Sequence, residues 1–243
     1  MDTDLPAATP RPSVAIVIPV LNEAIELPAL LRSLCEVADG AGVVFVDGGS
    51  VDGSVALIRD GGYRVLVTGT GRARQMNAGV AATSGDVLLF LHADARLSAG
   101  ALTAIGAAMR DPRVVAGRFE LVYRPSAWPY TWIARLGNLR ARLTGIGTGD
   151  QTLFVRRTAF EAVGRYPDVP LMEDVELSRR LKRVGRIVAL RIPVVASARK
   201  YRREGVWRTV ALMWLLRALH ALGVSPARLH RLYYDRDVSK RLP

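Results

Sequence analysis

The sequence predicts an α/β domain built on a doubly wound, mostly parallel sheet. Three observations carry this. Over residues 13–91, short apolar runs alternate with stretches whose apolar residues recur at helical spacing, in the order β-α-β-α-β-α-β. The last run, residues 87–91, is apolar at every position, the pattern of a strand buried on both faces at the centre of a parallel sheet. The strands before it end in polar or glycine-rich loops, so those loops gather on the carboxyl edge, where open α/β sheets bind ligands.

The elements follow in order. Residues 13–20 form a β-branched strand, with Pro19 expected to interrupt its ladder near the end. Asn22 is the expected N-cap of a helix marked by Leu27, Leu30, Leu31, Leu34 and Val37. Residues 43–46 are a third short apolar run, followed by Asp47, Gly48, Gly49, Ser50, Val51, Asp52, Gly53 and Ser54. Glycines there allow a ligand close to backbone, and Asp52 or Ser54 is expected to cap the next helix. A strand over 63–68 leads through Gly69 and Gly71 into a helix over 72–83. After the 87–91 strand come His92 and Asp94, then a helix over 97–110, a strand over 114–123 and an arginine-studded helix over 128–143. A glycine-rich loop over 144–149 precedes Asp150, Gln151 and a strand over 152–155; a helix ends near 184, and two short strands cover 186–190 and 194–198. The expected organisation is a disordered arm (1–12), a catalytic domain (13–200, with a nucleotide-binding half 13–95 and an acceptor half 96–200) and a helical basic extension (201–243).

Composition narrows the function. The net charge is +12, and residues 199–243 hold eleven Lys/Arg against three Asp/Glu. Such a surplus points to an anionic partner: a phosphorylated small molecule, an anionic membrane or nucleic acid. None of the usual nucleic-acid motifs is present, which removes the last. The one cysteine, Cys35, excludes an intrachain disulfide framework, suits a reducing compartment and sits among apolar residues as a core side chain. Residues 1–12 are polar and proline-rich, without the apolar stretch of a secretory signal, so the expected location is cytoplasmic. No apolar stretch reaches the roughly 20 residues of a membrane span. Residues 206–224 are apolar but broken by Arg208, Arg217 and His220. They either pack on the domain or lie in the inner face of a membrane, with Trp207 and Trp214 at headgroup level.

The acids carry the chemistry. Asp47, Asp94 and Asp174 each stand where a regular element meets a loop. Asp94, with His92 beside it, either caps the next helix or helps hold a Mg2+ or Mn2+ ion, which needs few protein oxygens when substrate phosphates supply the rest. Glu173 and Asp174 are either ordinary acids at a helix start or include a carboxylate that takes a proton from a hydroxyl. Arg72 and Arg74 are either a solvated helix face or cations beside a phosphate. The Gly69-x-Gly71 turn is no dinucleotide fingerprint, because Arg74 stands at its third glycine position.

Six motifs occur in this order: V-I-P-V-L-N-E, V-D-G-G-S-V-D-G-S, G-R-A-R-Q-M-N-A-G, G-D-V-L-L-F-L-H-A-D, G-D-Q and M-E-D-V-E-L-S-R-R-L. Together they resemble family 2 glycosyltransferases, most closely the arsenosugar-biosynthesis type, over about residues 13–234. The resemblance implies a GT-A fold, Rossmann-like with a mostly parallel central sheet flanked by helices, and C-terminal apolar and basic helices. It implies an inverting transfer from a nucleotide-diphosphate sugar, UDP-type favoured, to an acceptor hydroxyl on a small or lipid-linked molecule. By position, Pro19, Leu21 and Glu23 would line the nucleotide, Asp47 would accept from the base, and Gly49 would lie beside it. Arg72, Arg74 and Asn77 would face the diphosphate. His92, Ala93 and Asp94 take the place of the D-x-D motif, with Asp94 and His92 as metal ligands. Histidine there suits Mn2+ better than Mg2+. Asp150 and Gln151 would lie on the acceptor side, and Asp174, after Glu173, would be the general base. Two other readings compete: a nucleotidyltransferase, which should show a lysine- and glycine-bearing loop after the first strand, and a basic membrane-docking protein with a degenerate transferase fold.

Overall fold

The computed structural model describes residues 12–38 and 40–234. The expected arm over 1–12 therefore lies almost wholly outside the described residues, as does the end of the extension.

The first half alternates as the apolar runs require. It comprises β1 (Val14–Val20), α1 (Leu27–Val37), β2 (Gly42–Asp47), α2 (Ser54–Asp60), β3 (Arg64–Val67), α3 (Arg72–Ala81) and β4 (Val87–Phe90). These four strands are mutually parallel. Side chains alternate across β1, so Ile16 and Ile18 join a core with Leu27, Leu30 and Leu34 of α1, while Ala15 and Val17 meet Ala73, Met76 and Val80 of α3 on the other face. The α3 backbone lies so close to the sheet that a Cβ on Gly79 would come 2.4 Å from a Val17 methyl. β1 runs on through Pro19, which pairs with Val46 beyond the last β4 partner, Val17 opposite Phe90.

The second half departs from parallel winding. It holds β5 (Ala95–Leu97), α4 (Ala101–Ala108), β6 (Val114–Arg124), α5 (Trp128–Thr144), a 3-10 turn (Gly149–Gln151), β7 (Leu153–Arg156), α6 (Arg157–Ala162), α7 (Glu173–Val184) and β8 (Arg186–Ser197). The eight strands form one sheet in the order β3-β2-β1-β4-β7-β6-β8-β5. β7 runs antiparallel to both neighbours and β5 antiparallel to β8.

Several local expectations are corrected. Cys35 is exposed rather than a core side chain: Leu30 and Leu34 of α1 take the core positions. Asn22 does not cap α1. The chain turns first through Glu23–Glu26, and Asn22, at φ +54°, instead accepts the Val51 N–H at 2.9 Å. Gly53 holds the N-cap position of α2, and Asp52 sits one residue earlier, accepting the Ser54 N–H. The helix expected from residue 97 starts at Ala101, because 95–97 is taken as an edge strand. The two strands expected over 186–198 are one, β8, whose register with β6 slips between Leu190 and Pro193, where proline has no N–H to give the ladder.

The C-terminal helices are α8 (Arg199–Glu204), α9 (Val206–Ala221) and α10 (Pro226–Tyr234). Leu216 of α9 and Leu229 of α10 are fully buried against Met172 and Val175 at the start of α7, with Leu212 and Leu219 beside them. The opposite side of α9 leaves Trp207, Trp214, Leu215 and Leu222 exposed. No helix is long and apolar enough to cross a membrane among the described residues.

Candidate active site

The carboxyl ends of β1, β2 and β4 meet at one mouth. Asp47, the last residue of β2, is 1% exposed. Its Oδ2 accepts the N–H groups of Gly49 and Ser50 at 2.8 and 2.9 Å, and its Oδ1 is buried with no partner. An unsatisfied buried acceptor costs about 1–3 kcal/mol, so this oxygen is placed for a donor from outside the protein. The loops around it are tied together. Ser50 and Ser54 hydroxyls accept the N–H groups of Asn22 and Glu23, and the buried Gln75 amide donates to the carbonyls of Val20 and Val46. Pro19 is half-buried, while Leu21 and Gly49 are exposed at the rim.

The basic segment divides. Arg72 reaches across the mouth to Glu173, 3.2 Å away. Arg74 is taken by Asp168 through a two-pronged ion pair at the surface. Asn77 does not face the mouth as expected: its amide both donates to and accepts from the backbone of Tyr166, bracing α3 against the loop before α7.

At the end of β4, Ala93 is buried in the core, and His92 and Asp94 turn to the mouth. His92 sets the Cε1–Nε2 edge of its ring against Gly149: a Cβ there would come 2.3 Å from Cε1 and 2.4 Å from Nε2, so any larger residue would displace the ring. The Nδ1 stands 3.9 Å from Asp150. Burial, and then the Arg72 charge, push the imidazole down to about 4, so it is neutral at pH 7. Asp94 is raised, by burial first and then by Asp150, with Arg199 opposing.

Arg199, at the start of α8, was not among the residues expected from sequence. Its guanidinium lies 2.5 Å from Glu23, 3.9 Å from Glu26 and 4.0 Å from Asp94. Burial raises Glu23, and the Arg199 bond works against that rise. Nothing local marks Arg199, the first of a run of basic residues. Only the return of β8 to the mouth singles it out.

Asp174 lies in the first turn of α7. Its Oδ2 accepts the Gly149 N–H at 2.7 Å. Glu173 is buried and raised by that burial, with Arg72 pulling the other way. Asp150 is half exposed and accepts from the Tyr123 hydroxyl at 3.4 Å. Gln151, expected on the acceptor side, is 2% exposed. It instead closes a capping box with Thr148 and donates to Asn138, so it shapes the turn that carries Asp150.

Among the described residues, no three His, Cys, Asp or Glu side chains converge as a metal cage. A cation bound beside a diphosphate needs only one or two protein ligands. Asp94 fits that role: its charge is disfavoured by burial and by neighbouring acids, and a cation would relieve both. The neutral His92 ring offers Nδ1, because its Nε2 is packed on Gly149.

Comparison with known proteins agrees with this layout. Residues 15–164 match the family model described as Glycosyl transferase family 2. An undecaprenyl-phosphate 4-deoxy-4-formamido-L-arabinose transferase of Pseudomonas aeruginosa is 31% identical over 156 residues, 59% of this chain and 46% of the relative. An uncharacterized glycosyltransferase of Mycobacterium tuberculosis is 31% identical over 132 residues, 52% of this chain and 56% of the relative. The chain thus spans about half the length of the curated relatives it matches. Among solved structures, a mannosyltransferase of Pyrobaculum calidifontis in complex with GDP-Man and Mn2+ superposes with a TM-score of 0.62 at 19% identity, over 94% of this chain and 66% of that one. Glucosyl-3-phosphoglycerate synthase of M. tuberculosis, in complex with Mn2+, UDP and glucosyl-3-phosphoglycerate, gives 0.56 at 18% identity, over 75% of this chain and 70% of that one. At these identities the structures speak to a shared fold, the GT-A type.

Proposed function

Because the chain belongs to glycosyl transferase family 2, we propose that it moves a sugar, with inversion, from a nucleotide-diphosphate donor to an acceptor hydroxyl, with Asp174 as general base. The observation that carries this reading is the turn at Gly149. It packs on His92 beside Asp94 and donates its N–H to Asp174, so one loop sets the donor side against the base.

Each residue then has a task. The free Oδ1 of Asp47 accepts an N–H from the nucleotide base, and the resemblance of the motifs favours a UDP donor. Arg72 and Arg199 present positive charge where the diphosphate departs. Asp174 accepts the acceptor's proton as the new O–C1 bond forms and the C1–O bond to diphosphate breaks. Mg2+ or Mn2+ held by Asp94, with His92 beside it, would supply Lewis-acid stabilisation of the leaving group.

The likeness to the arsenosugar-biosynthesis type rests on the motifs and points to a small acceptor. A further part of the reading is contact with the cytoplasmic face of an anionic membrane. It is supported by the exposed tryptophans and leucines of α5 and α9 and by the basic balance of residues 199–243.

The test is a thermal-shift screen with UDP, GDP, dTDP and UDP-sugars, with and without Mn2+ or Mg2+, paired with transfer assays. A ligand that binds only the native state raises its stability. Wild type should respond to one nucleotide with metal, Asp94→Ala should not, and Asp174→Asn should respond normally while losing transfer by roughly 100-fold or more. Folded wild-type protein with no response to any nucleotide–metal pair would overturn the reading.

A further inference from the structure

The base follows closely on a strained residue. Met172, at the N-cap position of α7, has φ +69° and ψ +21°. N-cap residues are ordinarily extended and carry a side chain that caps the helix. Met172 does neither. Its backbone is left-handed, a conformation costly for any residue with a Cβ, and its side chain makes no cap bond. Its carbonyl closes the first turn by accepting the Glu176 N–H at 3.0 Å. The next two residues are Glu173, paired with Arg72, and Asp174. The turn at Met172 therefore sets the direction in which both carboxylates leave the chain.

A strained backbone persists only where its surroundings over-determine it. Here the surroundings are a small core apart from the two that flank the sheet. Met172 and Val175 are buried in it with Leu216 of α9 and Leu229 of α10, and Ile146 packs against them. Ile146 belongs to the loop that carries Gly149, whose N–H is donated to Asp174 at 2.7 Å. One apolar cluster thus holds both sides of the Gly149–Asp174 bond. Further along α7, the Ser178 hydroxyl donates to the Gly147 carbonyl at 3.4 Å and the Lys182 ammonium to the Thr144 carbonyl at 2.6 Å. Those bonds fix the body of the helix, whereas the cluster grips its first turn.

We propose that Met172 is a positioning residue for the transfer. α9 and α10 clamp its side chain, the clamp holds its backbone left-handed, and that backbone aims the Asp174 carboxylate at Gly149 and the mouth. This rests on Asp174 being the base. A misplacement of about 1 Å at a reacting group costs on the order of 100-fold in rate, so a small tilt of the first turn is enough to matter. The C-terminal helices are then part of the catalytic architecture, although the base itself lies on α7.

The experiment uses the full chain and four variants. Met172→Gly takes the left-handed backbone without cost but loses the anchor. Leu216→Ala removes the anchor's partner and leaves residue 172 untouched. Met172→Leu keeps an apolar side chain of similar volume. Ile105→Ala opens the other core, beneath α4, and controls for lost stability as read by urea unfolding. Two quantities are measured: exchange protection of the Gly149 amide, and hydrolysis of the UDP-sugar that stabilises wild type, in which water replaces the acceptor and UDP and free sugar are released. Met172→Gly and Leu216→Ala should lose Gly149 protection by at least about tenfold. Their kcat should fall at least about tenfold while KM for the donor stays within about twofold. Met172→Leu and Ile105→Ala should keep both. Unchanged protection in Met172→Gly, lost protection with unchanged kcat, or an equal loss in Ile105→Ala overturns the proposal. If wild type hydrolyses no UDP-sugar, or Asp174→Asn hydrolyses it as fast as wild type, the reading of the base fails, and Gly149 protection alone then decides whether the cluster sets the bond.

Discussion

Arg199 is the side chain on which the acidic rim of the mouth depends. It balances Glu23, Glu26 and Asp94, two of which are raised by burial. Arg199→Gln should destabilise the protein by about 1–2 kcal/mol, less than a sealed ion pair because the arginine is partly exposed. Arg199→Lys should recover part of the loss, as measured by urea unfolding; a Gln variant as stable as wild type would show that the rim needs no counter-charge. At this scale the sequence is readable where chemistry and position coincide. Asp47, Asp94 and Asp174 are acids at the ends of apolar runs or at a helix start, and the structure puts each at the mouth. It is unreadable where a role depends on a distant partner. Gln151 and Asn77 look like polar site residues, but Asn138 and the Tyr166 backbone absorb their amides. Arg199 looks like an ordinary surface cation until β8 is placed.

The elements divide along the same line. β1, β2 and β4 are almost wholly buried, so their apolar runs announce them and their order gives the parallel half directly. β8 alternates exposed and half-buried positions along most of its length, and β7 turns back on β4, so neither their extent nor their direction is written in a local pattern. The docking of α9 is a tertiary matter of the same kind, and it is sensitive to pH. His220 of α9 stands 3.3 Å from Arg179 of α7, and its Nδ1 is buried without a partner. Burial, then Arg179, lower its pKa, against Glu176 and Asp174, which raise it. The folded state therefore binds this proton less readily than the unfolded chain. The stability it contributes is present above the unfolded value near 6.5 and is lost as pH falls through that value toward the lowered one. Protection of the α9 amides, after correction for the slower intrinsic exchange in acid, should fall on acidification from pH 7.5 to about 5.5, and His220→Asn should flatten that dependence. The same pH slope in both proteins would place the sensitive group elsewhere.

For the molecule as a whole, the exposed apolar surface is the feature that folding leaves unexplained. Trp128, Trp132, Leu136, Leu139 and Leu143 recur at helical spacing along the outer side of α5, each between 47% and 79% exposed. They meet the exposed stripe of α9 where Trp128 and Trp207 approach to 6.4 Å. Arg135 lies over the Trp132 ring, and the adjoining C-terminal region is strongly basic. Tryptophan beside arginine along an apolar stripe is the composition of a surface that rests in a lipid headgroup layer. Each basic residue near anionic lipid adds on the order of 1 kcal/mol, screened by salt. The full chain should therefore float with phosphatidylglycerol vesicles at low salt, float less at high salt, and stay down with neutral phosphatidylcholine. Trp132→Gln/Leu136→Gln/Leu143→Gln leaves the charge unchanged and removes apolar contact, so it should reduce flotation at both salt levels. If that variant floats as wild type does, charge alone brings the protein to the lipid. If wild type stays down at low salt, the stripe faces something other than a membrane.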